Sequence, residues 1–72
     1  MLLPRHNMLN FNGTDLPCPE GLTLAQLLDE RSMDPDTIAT AVNGAFVPRD
    51  QRATTVLHPG DTVLTFQAIV GG

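Results

Sequence analysis

Residues 8–12 read Met-Leu-Asn-Phe-Asn, with a glycine at position 13, and this stretch decides how the fold begins. Leu9 and Phe11 alternate with asparagines, which is the period-two pattern of a strand with one buried face. Asn12 and Gly13 form a dipeptide that accepts the two positive φ angles of a type I′ turn. The stretch therefore predicts the first strand and the turn of a β-hairpin.

The returning strand is predicted over residues 14–18. Leu16 and Cys18 fall on one side of that strand and should face the core. Pro17 and Pro19 have no backbone N–H to donate to a neighbouring strand. We therefore expect this strand at the edge of a sheet.

A helix is predicted next, and its start is marked twice. Thr23 and Gln26 have the spacing of a capping box, and Leu22 and Leu27 have the spacing of a hydrophobic staple. The helix must end before Pro35, because the residue ahead of a proline is pushed away from helical backbone angles. Its apolar stripe comprises three leucines at helical spacing: Leu24, Leu27 and Leu28.

The rest of the chain adds strands and turns by the same signals. In order, they are a strand over 37–42, an Asn-Gly turn at 43–44, a strand over 45–47, a polar loop with a short helical turn over 49–57, a type II turn at 58–61 and a final strand from 62 to about 68. The sequence thus predicts an α+β fold, ββαββ with a terminal strand, in which one helix packs on one face of one mixed sheet.

Size and charge restrict the function. The chain has 72 residues, enough for one small domain but not for a separate cofactor domain. Eight acidic residues and four scattered arginines give a net charge of −4, so no nucleic-acid partner is expected. A domain this small has a net stability of about 4–11 kcal/mol, which leaves little for a strained, desolvated active site. A carrier, binding or interaction module is favoured over an enzyme.

The chain's one cysteine and two histidines indicate neither a disulfide nor a metal site. A lone Cys18 favours a reducing compartment, so we expect a cytoplasmic protein. No signal-peptide order and no apolar run of ~20 residues is present, so no membrane association is expected. Cys18, His58 and Asp61 could be read as nucleophile, base and orienting acid. The alternation of Cys18 with Leu16 favours instead a small core residue.

The end of the chain carries the informative feature. Two glycines, Gly71 and Gly72, follow directly on the predicted last strand. Glycine has no Cβ, so residues 69–72 can enter a narrow channel, and when extended they reach ~13–14 Å. A terminal carboxylate is ionised at neutral pH and must be activated before it reacts, most simply by attack on the α-phosphate of ATP. No glycine-rich phosphate loop is present, so a partner enzyme is expected to supply that step.

Three segments together resemble the ThiS family, the sulfur carrier proteins of thiamine biosynthesis. They are residues 42–49 (VNGAFVPR), 57–63 (LHPGDTV) and 66–72 (FQAIVGG), and the resemblance extends over about residues 8–72. It implies a β-grasp, ubiquitin-like fold. The sequence departs from the family pattern at Arg52, where members often carry an aromatic residue, and in the additional residues 1–7.

The resemblance also implies a role for each residue of the tail. Gly72 would be adenylated and converted to a thiocarboxylate, and Gly71 would be a slim spacer. The chain itself would bind no cofactor, since ATP and Mg would be used by an E1-like adenylyltransferase of the ThiF type. The sulfur, supplied by a donor system, would then pass to a thiazole synthase of the ThiG type. The chain would be a protein cosubstrate rather than an enzyme.

An apolar docking surface beside the tail is also predicted. One helix can cover only one face of the sheet, so part of the other face must be exposed. We expect Leu64 and Phe66 of the last strand, with Ile69 and Val70 of the tail, to contact the partner. The alternative is that Phe66 belongs to the core, because an aromatic side chain buries much area on folding.

Other functions remain open from the sequence. A molybdopterin-type sulfur carrier would share the fold and the terminus, and a ubiquitin-like modifier would form isopeptide bonds with target lysines. A plain interaction domain with an incidental tail is the third alternative. The predicted organisation is a flexible extension over 1–7, a β-grasp domain over 8–68 and a flexible functional tail over 69–72.

Overall fold

A computed structural model describes residues 7–67 of the chain. The predicted tail over 69–72, and all but the last residue of the predicted extension over 1–7, lie outside these residues. The regular elements are β1 (Met8–Phe11), β2 (Thr14–Pro17), α1 (Leu24–Glu30), β3 (Ile38–Val42), β4 (Ala45–Val47), a 3-10 helix (Arg49–Thr54) and β5 (Thr62–Gln67).

The five strands form one mixed sheet in the order β2-β1-β5-β3-β4. β5 lies in the middle, where it pairs parallel with β1 and antiparallel with β3. β2 and β4 are edge strands, and each returns antiparallel from its hairpin partner. The predicted α+β class and the edge position of the proline-containing strand are confirmed, and the arrangement is a β-grasp sheet.

The capping box at the start of α1 is confirmed. The Thr23 hydroxyl accepts from the Gln26 backbone N–H at 3.2 Å, and the Gln26 side chain accepts from the Thr23 N–H at 3.0 Å. The helix ends at Glu30, five residues before Pro35. Strand limits differ from prediction only at their ends: Asn12 lies in the turn, and Cys18 follows β2 with its N–H donated to the Asn7 carbonyl at 2.8 Å.

The core lies between α1 and one face of the sheet. The three predicted helix leucines are buried, and Leu9, Phe11 and Val63 meet them from the central strands. Leu57, from the segment before the 58–61 turn, is only 2% exposed and closes the core. The opposite face of the sheet is not covered by any described element.

Two asparagines from the hairpin turns hold the backbone of β5. Asn12 and Asn43 have φ angles of 51° and 52°, as type I′ turns require. The Asn12 side chain accepts from the Thr65 N–H at 2.9 Å and donates to the Thr65 hydroxyl at 2.8 Å. The Asn43 side chain accepts from the Thr62 N–H at 2.9 Å and donates to Asp61 at 2.9 Å. Each turn therefore also clamps the central strand.

Arg52 is a buried cation that the sequence pattern did not predict. Arg52 lies in the 3-10 helix and is only 5% exposed. Its guanidinium donates from Nη1 to the Pro35 carbonyl at 3.1 Å, from Nη2 to the Ile38 carbonyl at 2.7 Å and from Nε to the Thr40 hydroxyl at 3.3 Å. Three hydrogen bonds thus tie the 3-10 helix to the start of β3.

Replacing Asn12 tests the clamp separately from the turn. Asn12→Gly keeps a residue that accepts positive φ but removes both contacts to Thr65, so we expect a loss of about 1–3 kcal/mol in the free energy of unfolding. Asn12→Asp keeps an acceptor for the Thr65 N–H and should lose less. Urea denaturation measures both, and an Asn12→Gly variant with an unchanged midpoint would contradict the clamp.

Replacing Arg52 tests the buried hydrogen bonds. Arg52→Met fills much of the same volume but leaves the Pro35 and Ile38 carbonyls without their donors, so we expect a loss of about 2–4 kcal/mol in unfolding free energy. Arg49→Met is the matched control, because that arginine's side chain is 62% exposed and should change stability by less than about 1 kcal/mol. Equal denaturation midpoints for the two variants would argue against a structural role for Arg52.

Candidate functional site

The predicted reacting tail begins at the end of the central strand. Gln67, the last described residue, pairs with Ile38 at the final register position of β3 and β5. The chain therefore leaves the sheet from its middle rather than from an edge. The predicted roles of Gly72, Gly71, Ile69 and Val70 lie outside the described residues, and they stay predictions.

The uncovered face of the sheet carries apolar side chains close to this exit. Leu64 is 37% exposed and Phe66 is 52% exposed. Their register partners in β3 are Ala41 and Ala39. The alanine side chains are too small to cover those of Leu64 and Phe66. The exposure of Phe66 excludes the alternative that it belongs to the core. Whether a partner docks here remains a prediction.

Phe46 extends this apolar surface across a third strand. It is 68% exposed in β4 and lies opposite Ala41, which is itself opposite Leu64. We call Phe46, Leu64 and Phe66, with the two alanines between them, the outer-face patch. Sequence reasoning missed Phe46, although its alternation with the buried Val47 carried the signal.

The other half of the same face is partly polar. Asn10 of β1 and Asp15 of β2 are register partners, and the Asn10 amide donates to the Asp15 carboxylate at 3.4 Å. Leu9 and Leu16, the next pair along, have the opposite orientation, toward the core. The next pair on this face, Met8 and Pro17, is apolar, so this half of the face is mixed. The exposed large apolar side chains of the outer-face patch lie on β4 and β5, in the half of the sheet nearest the chain exit.

The structure gives Cys18, His58 and Asp61 structural rather than catalytic roles. Cys18 is 5% exposed, and burial, helped by the negative charge of Asp61, raises the pKa of its thiol, so it stays protonated at neutral pH. Asp61 accepts from the His58 backbone N–H at 2.8 Å and from Asn43, which fixes the turn before β5. The His58 ring nitrogen Nδ1 is 4.0 Å from Asp61, too far for a hydrogen bond.

The described residues contain neither a metal site nor a membrane-spanning helix. Over residues 7–67, no three His, Cys, Asp or Glu side chains come together as a metal site would require. None of the helices described there is both long enough and apolar enough to cross a membrane. The geometry of this part of the chain therefore directs attention to the outer-face patch and the chain exit.

Comparison with known proteins finds a matching family. The model of the ThiS family matches residues 9–72, and so includes both terminal glycines. The sulfur carrier protein ThiS of Escherichia coli (strain K12) is 37% identical over 62 residues, which cover 86% of this chain and 94% of that protein.

The fold is also found in a solved structure. The crystal structure of thiamine biosynthesis protein ThiS from Geobacter metallireducens superposes with a TM-score of 0.77 at 24% identity, and the match covers 90% of this chain and 99% of that one. That likeness concerns the fold, whereas the family match spans the strands, the turn before β5 and the terminal glycines together. On these grounds the chain belongs to the ThiS family.

Proposed function

We propose that this chain is a sulfur carrier protein of thiamine biosynthesis, and that its reacting group is the carboxylate of Gly72. The observation that carries the proposal is the family match over residues 9–72, which joins the glycine pair to the whole β-grasp domain. The 37% identical relative from Escherichia coli is named as a sulfur carrier protein. That name favours the thiamine pathway over a molybdopterin-type carrier or a ubiquitin-like modifier.

The proposed chemistry takes place at one carboxyl group. The Gly72 carboxylate oxygen attacks the α-phosphorus of ATP, the bond to the β-phosphate breaks, and pyrophosphate leaves. Hydrosulfide (HS⁻), supplied by a donor system, then forms a C–S bond to the acyl carbon, AMP leaves with the electrons of the C–O bond, and the S–H proton passes to solvent. The product is a thiocarboxylate in which sulfur replaces one carboxylate oxygen.

The chain's own contribution is presentation and recognition. ATP and Mg belong to a partner, an E1-like adenylyltransferase of the ThiF type, and the sulfur acceptor is a thiazole synthase of the ThiG type. Gly71 adds no side chain beside the reacting carbon, so the tail can enter a confined active site. The central strand fixes where that tail starts relative to the rest of the domain.

The outer-face patch is the proposed docking surface for the adenylyltransferase. Phe46, Leu64 and Phe66 expose aromatic and aliphatic groups together, and removing such groups from water drives association. Their strands are those nearest the chain exit, so docking here would hold the start of the tail close to the partner's site. Asn10 and Asp15, on the other half of the same face, would lie at the polar rim of the interface.

Conversion of the terminus is the direct test of the reaction. Incubation with the adenylyltransferase, ATP, Mg and a sulfur donor should raise the intact mass by the difference between one sulfur and one oxygen. A chain lacking Gly72 should be unchanged, because its terminal carboxylate stops one residue short of the reacting position. Absence of any mass change, under conditions that convert the Escherichia coli protein, would refute the proposed reaction.

Substitutions on the patch test docking. Phe46→Ser and Phe66→Ser should each weaken binding to the adenylyltransferase by about tenfold or more, measured by calorimetry, because each removes a large apolar contact. Val56→Ser is the matched control, since Val56 is 44% exposed but lies outside the five-stranded sheet. Normal affinity in both phenylalanine variants, with or without a lower melting temperature, would exclude the patch as the docking surface.

A further inference from the structure

A cavity of about 270 Å³ lies between α1 and the 3-10 helix. Much of its lining is apolar and includes Ala25 and Leu28 of the helix and Met33 after it. Its charged lining residues are Asp29, Arg49 and Arg52. The cavity lies on the helix side of the molecule, so it is separate from the outer-face patch.

Arg52 brings a buried positive charge to this cavity without a negative partner. Over residues 7–67, no carboxylate lies within 4.0 Å of its guanidinium, and its acceptors are two carbonyls and a hydroxyl. Those bonds use one N–H from each nitrogen, so one N–H remains on each Nη atom. A buried cation is costly without a counter-charge, and a carboxylate is the group that best matches a guanidinium.

The other charges at the cavity do not neutralise Arg52 by direct contact. Arg49 is ion-paired with Asp36, and both of those side chains are more than half exposed. Asp29 is the one carboxylate among the lining residues, on an exposed position of α1. Arg52 is therefore the one lining cation without an ion-pair partner among residues 7–67, and it stands beside a largely apolar space, which suits an apolar segment ending in an anion.

The chain's own C-terminal segment has that chemistry and can reach the cavity. Gln67 pairs with Ile38, and the Ile38 carbonyl accepts from Arg52 Nη2 at 2.7 Å. The chain exit therefore lies beside Ile38 on the β5 side of β3, and the guanidinium lies on the opposite side of that strand. Residues 68–72 span up to ~17 Å when extended, and they present Val70 two residues before the terminal carboxylate.

We propose that the Arg52 cavity is a carboxylate-binding site whose ligand is the C-terminal carboxylate of Gly72, with Val70 against its apolar lining. The inference rests on the proposed function for the free carboxylate at Gly72. A short tether gives the tail an effective concentration on the order of millimolar, so a weak site suffices to hold it. The adenylyltransferase then competes with Arg52 for the carboxylate.

Removing the terminal charge without changing the sequence tests the site. The full chain is compared by NMR with the same chain carrying a carboxamide at Gly72, made by peptide ligation. We expect the Arg52 Nε–H signal and the Met33 methyl signal to shift, and nuclear Overhauser contacts from Val70 to Met33 to be lost. Unchanged Arg52 and Met33 signals would overturn the proposal.

A side-chain variant provides the second arm and leaves the buried arginine intact. Val70→Ser keeps the carboxylate but loses the apolar contact, so the signals of Arg52 and Met33 should move toward those of the carboxamide chain. Signals from Phe46 and Leu64 should stay in place in every case. Movement of those two signals instead would place the tail on the outer face and exclude the Arg52 site.

The mass-shift experiment separates this inference from the proposed function. If the chain gains sulfur but shows no carboxylate-dependent change at Arg52, the carrier function is supported and the Arg52 site is excluded. If the chain shows the change at Arg52 but never gains sulfur, the Arg52 site is supported and the carrier function is excluded.

Discussion

The pairing of β5 with both β1 and β3 is the interaction on which the rest of the structure depends. β5 lies at the end of the described chain, yet it occupies the middle of the sheet and joins the two hairpins. Val63 brings its side chain to the core with no exposed surface. Without this strand the hairpins would share no hydrogen bonds, and α1 would have no continuous surface to cover.

The same pairing decides what the surface can do. Residues along β5 alternate, so the side that gives Val63 to the core leaves Leu64 and Phe66 on the other face. One short helix cannot cover both faces of a five-stranded sheet. An exposed apolar surface beside the chain exit is thus a direct consequence of the fold, and surfaces of this kind commonly mark sites of protein interaction.

Arg52 shows how a small domain holds its connecting segments in place. The segment from the end of α1 to β3 has few large apolar residues, and the 3-10 helix has fewer still. Backbone carbonyls in such segments need donors when they are buried. A single guanidinium supplies donors to Pro35 and Ile38 at once, which two apolar side chains of the same volume could not do. These carbonyls are neutral, so the positive charge of the guanidinium is not balanced by them, and this charge is the basis of the proposed anion site in the cavity beside it.

The sequence by itself determined the local elements of this protein. Both Asn-Gly turns, the capping box at Thr23 and the leucine stripe depend on neighbouring residues, so backbone preference and periodicity predict them without knowledge of the fold. Strand alternation and a single helix also predicted an exposed Phe66, but the structure was needed to exclude a place for it in the core. The terminal glycines, and the family resemblance built around them, are likewise properties of the sequence.

Only the tertiary structure decided which distant residues meet. The side-chain contacts of Asn12 with Thr65 span 53 positions, the burial of Arg52 depends on carbonyls from another segment, and Phe46 joins the patch through the register of three strands. No local pattern encodes such contacts, because they depend on strand order and register. Strand order and register are in turn set by the burial of all the core side chains at once. That burial is a property of the complete fold and not of any one stretch of sequence.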